Sequence, residues 1–277
     1  MFRLISGYSI AKHLGRKLFF SLNGGGDQAR VRVILARITA TFPRTFQAYT
    51  LFSPCIESTV VPFVYDSVGR RTCCVFADPM RYSSYNSKFL VLDTEYGQNV
   101  RYFEENLSEI REMFTFGDEA KERGDNIVNC MKINVSGAIC IHIRRTDFLL
   151  FNASSDFNKT LEAALQIGSE HRINRYLLFG DDKVFMNDLA GNLMKYDNGG
   201  DEVIAQISDY DEFDEFYVAS RACAAFIITA PTSTFGWWLA FFTSNQEAVY
   251  YINDTRPLMS KKATDETFLR SWKAFPP

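Results

Sequence analysis

Between residues 137 and 252 short apolar runs alternate with longer amphipathic stretches, and that alternation restricts the chain to few folds. Gly137–Ile143, Tyr176–Gly180, Glu202–Ile207, Ala225–Thr229 and Ala248–Ile252 are too short for stable helices and too apolar for a half-exposed sheet. They read as strands buried on both faces. Asp156–Ser169, Asp182–Met194, Tyr210–Cys223 and Ser233–Phe242 lie between them with helical spacing. Strand, helix and strand in strict succession predict a parallel, doubly wound α/β sheet.

The first half is less regular. Phe2–Leu14 has helical spacing with Gly15 at its end, and Lys17–Leu22 is a short strand closed by Asn23-Gly24-Gly25-Gly26. Asp27 can cap a helix reaching Thr41. Val60–Tyr65, Cys73–Ala77 and Phe89–Leu92 read as strands, and Asn99–Phe114 and Asp118–Met131 as helices. A division near Lys132–Gly137 gives two α/β parts, 1–134 and 135–277.

Composition then removes several function classes. A net charge of -3 with scattered Lys and Arg gives no basic field for nucleic acid. The longest apolar stretch, Ala222–Phe242, is interrupted by Pro231, a Thr/Ser cluster and Gly236, so it does not read as a membrane span. The six cysteines form no CxxC pair, which argues against a structural zinc site. Sequons at Asn106, Asn134, Asn152, Asn158 and Asn253 exceed the roughly two expected by chance and favour a secretory protein.

Ligands of open α/β sheets bind at the carboxyl ends of the strands, and three predicted strand ends carry polar clusters. In His142-Ile143-Arg144-Arg145-Thr146-Asp147 two arginines leave a buried strand. Guanidinium forks match phosphate oxygens and compensate the charge of a departing diphosphate; Asp147 can hold one arginine by an ion pair, and a purely structural Arg–Asp bridge is the competing reading. In Gly180-Asp181-Asp182 a carboxylate suits a ribose hydroxyl or a guanine amino edge, while Asp182 equally suits a helix N-cap. In Thr229-Ala230-Pro231-Thr232-Ser233-Thr234-Phe235-Gly236-Trp237-Trp238 three consecutive hydroxyls and the free backbone N–H groups expected at a helix start form a natural phosphate cradle. Asp209-x-Asp211 has the form of a metal-binding DxD but reads as an acidic first helical turn. His13 and His171 read as surface residues without ligand partners.

With these three clusters in this order, the chain resembles the α1,2-fucosyltransferases of glycosyltransferase family 11. The family carries a His-x-Arg-Arg-x-Asp motif, a later Asp-Asp strand end and a Ser-Thr-Phe-Gly-Trp-Trp-type segment. Met1–Ala11 also looks like the family's first helix. The likeness spans nearly the whole chain, with little of it in Phe42–Tyr96. The resemblance implies a GT-B-like architecture of two Rossmann-type lobes, an acceptor-side lobe over 1–134 and a GDP-sugar lobe over 135–277. It implies GDP-fucose as donor substrate, a galactose-terminated glycan as acceptor, and inverting transfer without metal or other cofactor.

Carried over by position, Arg144 and Asp147 are the catalytic candidates. His142, Arg144, Arg145, Asp181, Asp182, Thr232, Ser233, Thr234 and Phe235 are the donor-binding candidates. The base that takes the acceptor proton stays open among Asp147, Asp156 and Asp27. In the family a strand and a Gly-x-Gly-Asn-Gln loop precede the first helix, and Met1 corresponds to the next residue. The resemblance therefore implies an N-terminal lobe lacking its first strand. It places the full-length form in the Golgi lumen as a type II membrane protein, its anchor outside this chain. The competing expectation is a catalytically inactive relative that binds nucleotide or glycan.

Overall fold

The computed structural model describes residues 1–21, 27–52, 57–196 and 202–276. The Asn23–Gly26 run, Cys55 and the side chain of Asp27 lie outside what is described. The chain separates into two compact units, one of residues 1–118 with 264–269 and one of 119–263 with 270–277.

In the first unit helix α1 (Phe2–His13) buries Phe2, Leu4, Ile5 and Ile10. Gly15 follows it at φ 63, the left-handed turn a helix end favours, and its N–H returns to the carbonyl of Lys12. Strand β1 (Phe19–Ser21), helix α2 (Asp27–Thr41) and strand β2 (Thr50–Phe52) follow, with β1 and β2 parallel. Strands β3 (Thr59–Pro62) and β4 (Leu90–Asp93) form a second parallel pair. The strand expected over Cys73–Ala77 is absent. Cys73 and Cys74 are joined in a disulfide between neighbours, and φ of 76 at Cys74 breaks the extended backbone a strand requires. The helix expected from Asn99 begins as two 3₁₀ turns, Val100–Tyr102 and Glu104–Asn106, before α3 (Leu107–Met113).

In the second unit helix α4 (Asp118–Met131) leads into β5 (Ala138–Ile143), whose six residues are all buried. The alternation then continues as α5 (Phe157–His171), β6 (Arg175–Gly180), α6 (Lys183–Met194), β7 (Ile204–Ile207), α7 (Glu212–Ala222), β8 (Cys223–Ile228), α8 (Thr234–Phe242) and β9 (Val249–Ile252). A last strand, β10 (Lys273–Phe275), was not legible in the sequence because only three residues of it pair. The sheet is parallel throughout, in the order β10-β9-β8-β5-β6-β7.

Alternate side chains of β5 enter opposite layers. Ile139, Ile141 and Ile143 pack with Ala163, Ala164 and Ile167 of α5 and Met186 and Leu189 of α6. His142 faces α8, and Cys140 is bonded to Cys223 of β8 across a Cα separation of 5.4 Å. Trp237 and Trp238 are both core residues, at 0% and 2% exposure. The chain progresses from β5 through β6 to β7 on one side and from β8 through β9 to β10 on the other. The order therefore switches between β5 and β8, where an open α/β sheet leaves a crevice at its carboxyl end.

Candidate active site

At that crevice His142 is the penultimate residue of β5. Its ring is fully buried, with Nε2 3.3 Å from the Ser233 hydroxyl and the edge of the Phe235 ring beside it. Nδ1 has no hydrogen-bond partner and lies against Gly236. Burial, assisted by the nearby charge of Arg144 and opposed by Asp181, pushes the imidazole down to about 3. His142 is therefore neutral, a packing and hydrogen-bonding group at the floor of the crevice.

The two arginines diverge just past the end of β5. Arg144 keeps a third of its side chain exposed, and its guanidinium lies 2.8 Å from Asp147 and 3.2 Å from Asp181, over the Phe148 ring. Arg145 turns inward. Its Nε meets Asp182 at 3.0 Å, a terminal N–H donates to the Ser155 carbonyl at 2.8 Å, and the guanidinium sits 4.2 Å over the Phe185 ring. Of the pair, Arg144 has the exposure and a half-exposed partner, Asp147, that an incoming anion can displace.

Asp181 is shared among three donors: the Arg145 backbone N–H at 2.9 Å, the Thr146 hydroxyl at 2.6 Å and Arg144. Asp182 caps α6 by accepting from Phe185 N–H at 3.0 Å while holding Arg145. The cap bond, with Arg145 beside it, keeps this carboxyl below the usual carboxylate range. Both aspartates thus organise the arginine turn in this arrangement, and Asp182 fulfils the N-cap reading of the sequence.

The three consecutive hydroxyls also separate. Thr232 and Ser233 are buried, and Ser233 caps α8 through a 3.5 Å bond from Gly236 N–H while touching His142. Thr234 is exposed at the first turn of α8 and accepts from Lys261 Nζ at 3.0 Å. Phe235 is half-buried between His142 and Phe216. The surface offered to a ligand at this helix start is therefore Thr234 and the first-turn backbone, with no acidic residue in that turn.

Four residues to which the sequence assigns no role in the site tie these pieces together. Ser155, fully buried, accepts from the Arg144 backbone N–H at 2.9 Å and bonds Thr229 at 2.6 Å; Thr229 also donates to the His142 carbonyl at 2.6 Å. Gly236 makes room for the His142 ring, and Lys261 reaches α8 from a later turn. Ser155 reads locally as part of a helix start and Lys261 as one of two solvated lysines. Only folding reveals either partner. Of the other readings, Asp211 caps α7 and Asp209 pairs with Lys183. His13 contacts Glu105 and His171 contacts the Tyr250 hydroxyl. Among the described residues no three His, Cys, Asp or Glu side chains converge as a metal site, and no helix is long and apolar enough to cross a membrane.

The chain is thus an α/β protein whose parallel sheet carries a partly exposed arginine and the Ser233-capped start of α8 at its switch point. POFUT1, in a crystal structure with GDP-fucose, shares the fold at a TM-score of 0.50 over 90% of this chain and 92% of that one, with 9% identity. The chain belongs to glycosyl transferase family 11, whose model matches residues 78–275, and it is a glycosyltransferase of the type its relatives represent. Two of those relatives are galactoside 2-alpha-L-fucosyltransferases of Caenorhabditis elegans. One is 30% identical over 73% of this chain and 57% of its own length, the other 27% identical over 91% and 66%.

Proposed function

We propose that the protein transfers L-fucose from GDP-β-L-fucose to a galactose of a glycan, inverting the anomeric centre without a metal ion. The observation that carries the reading is Arg144. It follows the central strand β5, whose neighbour across the switch point is β8, and its guanidinium is partly exposed. In this reading the diphosphate displaces Asp147 from Arg144 and approaches the first turn of α8 at Thr234 and Phe235. As the bond between the fucose anomeric carbon and the β-phosphate oxygen breaks, the charge gathering on GDP meets a fixed cation and a helix dipole. The acceptor hydroxyl attacks from the opposite face, and Asp147, once released from Arg144, is the exposed carboxylate at hand to take its proton.

The relatives' names support fucosyl transfer to a galactoside. The second unit is the donor-binding lobe in this reading, and the first unit is the acceptor-side lobe of a two-Rossmann arrangement. The exposed sequons Asn134, Asn152, Asn158 and Asn253, together with the Cys140–Cys223 bridge, support a secretory compartment, which we take to be the Golgi lumen. The test is GDP release from GDP-fucose with a galactoside acceptor. Release is expected from the wild type and at least ~100-fold less from Arg144→Ala. Failure of a folded preparation to bind either GDP or GDP-fucose would overturn the reading.

One observation favours a second reading, a nucleotide-binding module without turnover. Asp147, the exposed carboxylate nearest Arg144, is already engaged by it at 2.8 Å. GDP binding without transfer to any galactoside would select it.

A further inference from the structure

The side chain of Lys261 has an unusual environment. It is 7% exposed, and its Nζ donates to the Thr234 hydroxyl at 3.0 Å, with no carboxylate at ion-pair distance among the described residues. Thr234 opens the nine-residue helix α8, whose first turn carries no acidic side chain. A buried amine therefore sits beside the positive end of a helix, and neither is compensated by protein charge. Two like charges brought together out of water destabilise each other, and an anion bound at that spot removes the conflict.

We propose that Lys261 is a donor-site residue whose ammonium pairs with the diphosphate of the bound nucleotide through the head of α8, so that donor binding draws a proton from solvent. This rests on the GDP-sugar reading of the site and adds to it a cation that lies 27 residues beyond Thr234 in sequence. The amine's hydrogen-bond partner comes from α8, as Thr234, and its own turn is closed by backbone hydrogen bonds between Leu258 and Lys261. Among the described residues no ion pair reaches it. Burial alone lowers the amine to about 7. Above that pH the empty site holds a neutral amine, and a diphosphate alongside restores the ammonium.

The experiment is calorimetric titration of GDP into the full chain at pH 8 in two buffers of different ionisation enthalpy. The wild type should take up about half to one proton per GDP bound. Lys261→Met should take up none and bind about tenfold more weakly at pH 7, whereas Lys261→Arg should recover most of the affinity without proton uptake. Thermal melts of each variant establish that it folds. Wild-type binding without proton uptake overturns the proposal, as does folded Lys261→Met that binds GDP like the wild type. If Lys261→Met fails to fold, the wild-type proton count and Lys261→Arg still decide. Wild-type protein that binds no GDP at all overturns the donor reading instead.

Discussion

Gly236 and His142 are packed so closely that a Cβ on the glycine would lie 2.3 Å from Nδ1 of the imidazole. This contact seats the start of α8 against the end of β5, and it sets where Ser233 and Thr234 stand. Gly236→Ala must push either the helix or the fully buried ring. The expected result is a loss of about 1–3 kcal/mol in urea unfolding, with GDP affinity falling as well because the helix start moves. An alanine variant of wild-type stability and affinity would mean the two elements are not coupled here.

The two arginines should separate in experiment as they do in space. Arg145→Ala removes the partner of Asp182 and the donor to the Ser155 carbonyl. It should cost about 1–3 kcal/mol of stability, a range set by the partial exposure of the pair. Arg144→Ala, with a third of its side chain in solvent, should melt within a few degrees of wild type yet lose nucleotide binding. Differential scanning fluorimetry with and without GDP reads both quantities in one series. The reverse pattern would make Arg144 a structural bridge.

Glu215 is buried at the start of α7, with Oε1 accepting from the Ser208 hydroxyl at 2.5 Å. Burial pushes its carboxyl up to about 7, only partly offset by the Ser208 hydrogen bond. Between the ordinary carboxylate range and pH 7 the folded chain therefore keeps a proton that the unfolded chain releases. Stability from this group is fully present below about pH 4.5 and is lost as pH rises through 7, by about 3 kcal/mol in total. Glu215→Gln lacks that loss. Denaturation of both proteins from pH 4.5 to 8.5 should show the variant gaining on the wild type as pH rises; parallel curves would show that Glu215 titrates normally.

The bond between Cys140 and Cys223 closes a loop spanning 83 residues and ties β5 to β8 across the switch point. Both cysteines are fully buried. The Cys140→Ala, Cys223→Ala double variant should lose about 2–5 kcal/mol, measured by urea unfolding of oxidised wild type beside the variant. Mass spectrometry of the intact and reduced chain checks the bond itself.

The second unit was readable because a strand buried on both faces must be apolar along its length. Gly137–Ile143 announced β5 within a residue of its observed start, and the later helices and strands through β9 were placed within two residues at each end, whereas β10 was not. The first unit was harder, since its strands are three or four residues long and its extended cysteine run is interrupted by a bond between neighbours. In the site, period-two alternation carried past the strand would put Arg144 and Arg145 on opposite faces, but β5 ends at Ile143 and local loop geometry takes over.

By itself the sequence determined the alternating α/β order, the polar strand ends and the positions of His142–Asp147, Asp181–Asp182 and Thr232–Phe235, because hydrophobic period and strand termini are local properties. Tertiary structure decided the direction each group faces. Strand order brought Ser155 to Thr229, across 74 residues, and Ser233 to His142, across 91, turning two candidate ligands inward. The same packing left Arg144 and Thr234 outward and drew Lys261 beneath the helix start. Such choices depend on which surfaces lose water together, and no local pattern of residues encodes that.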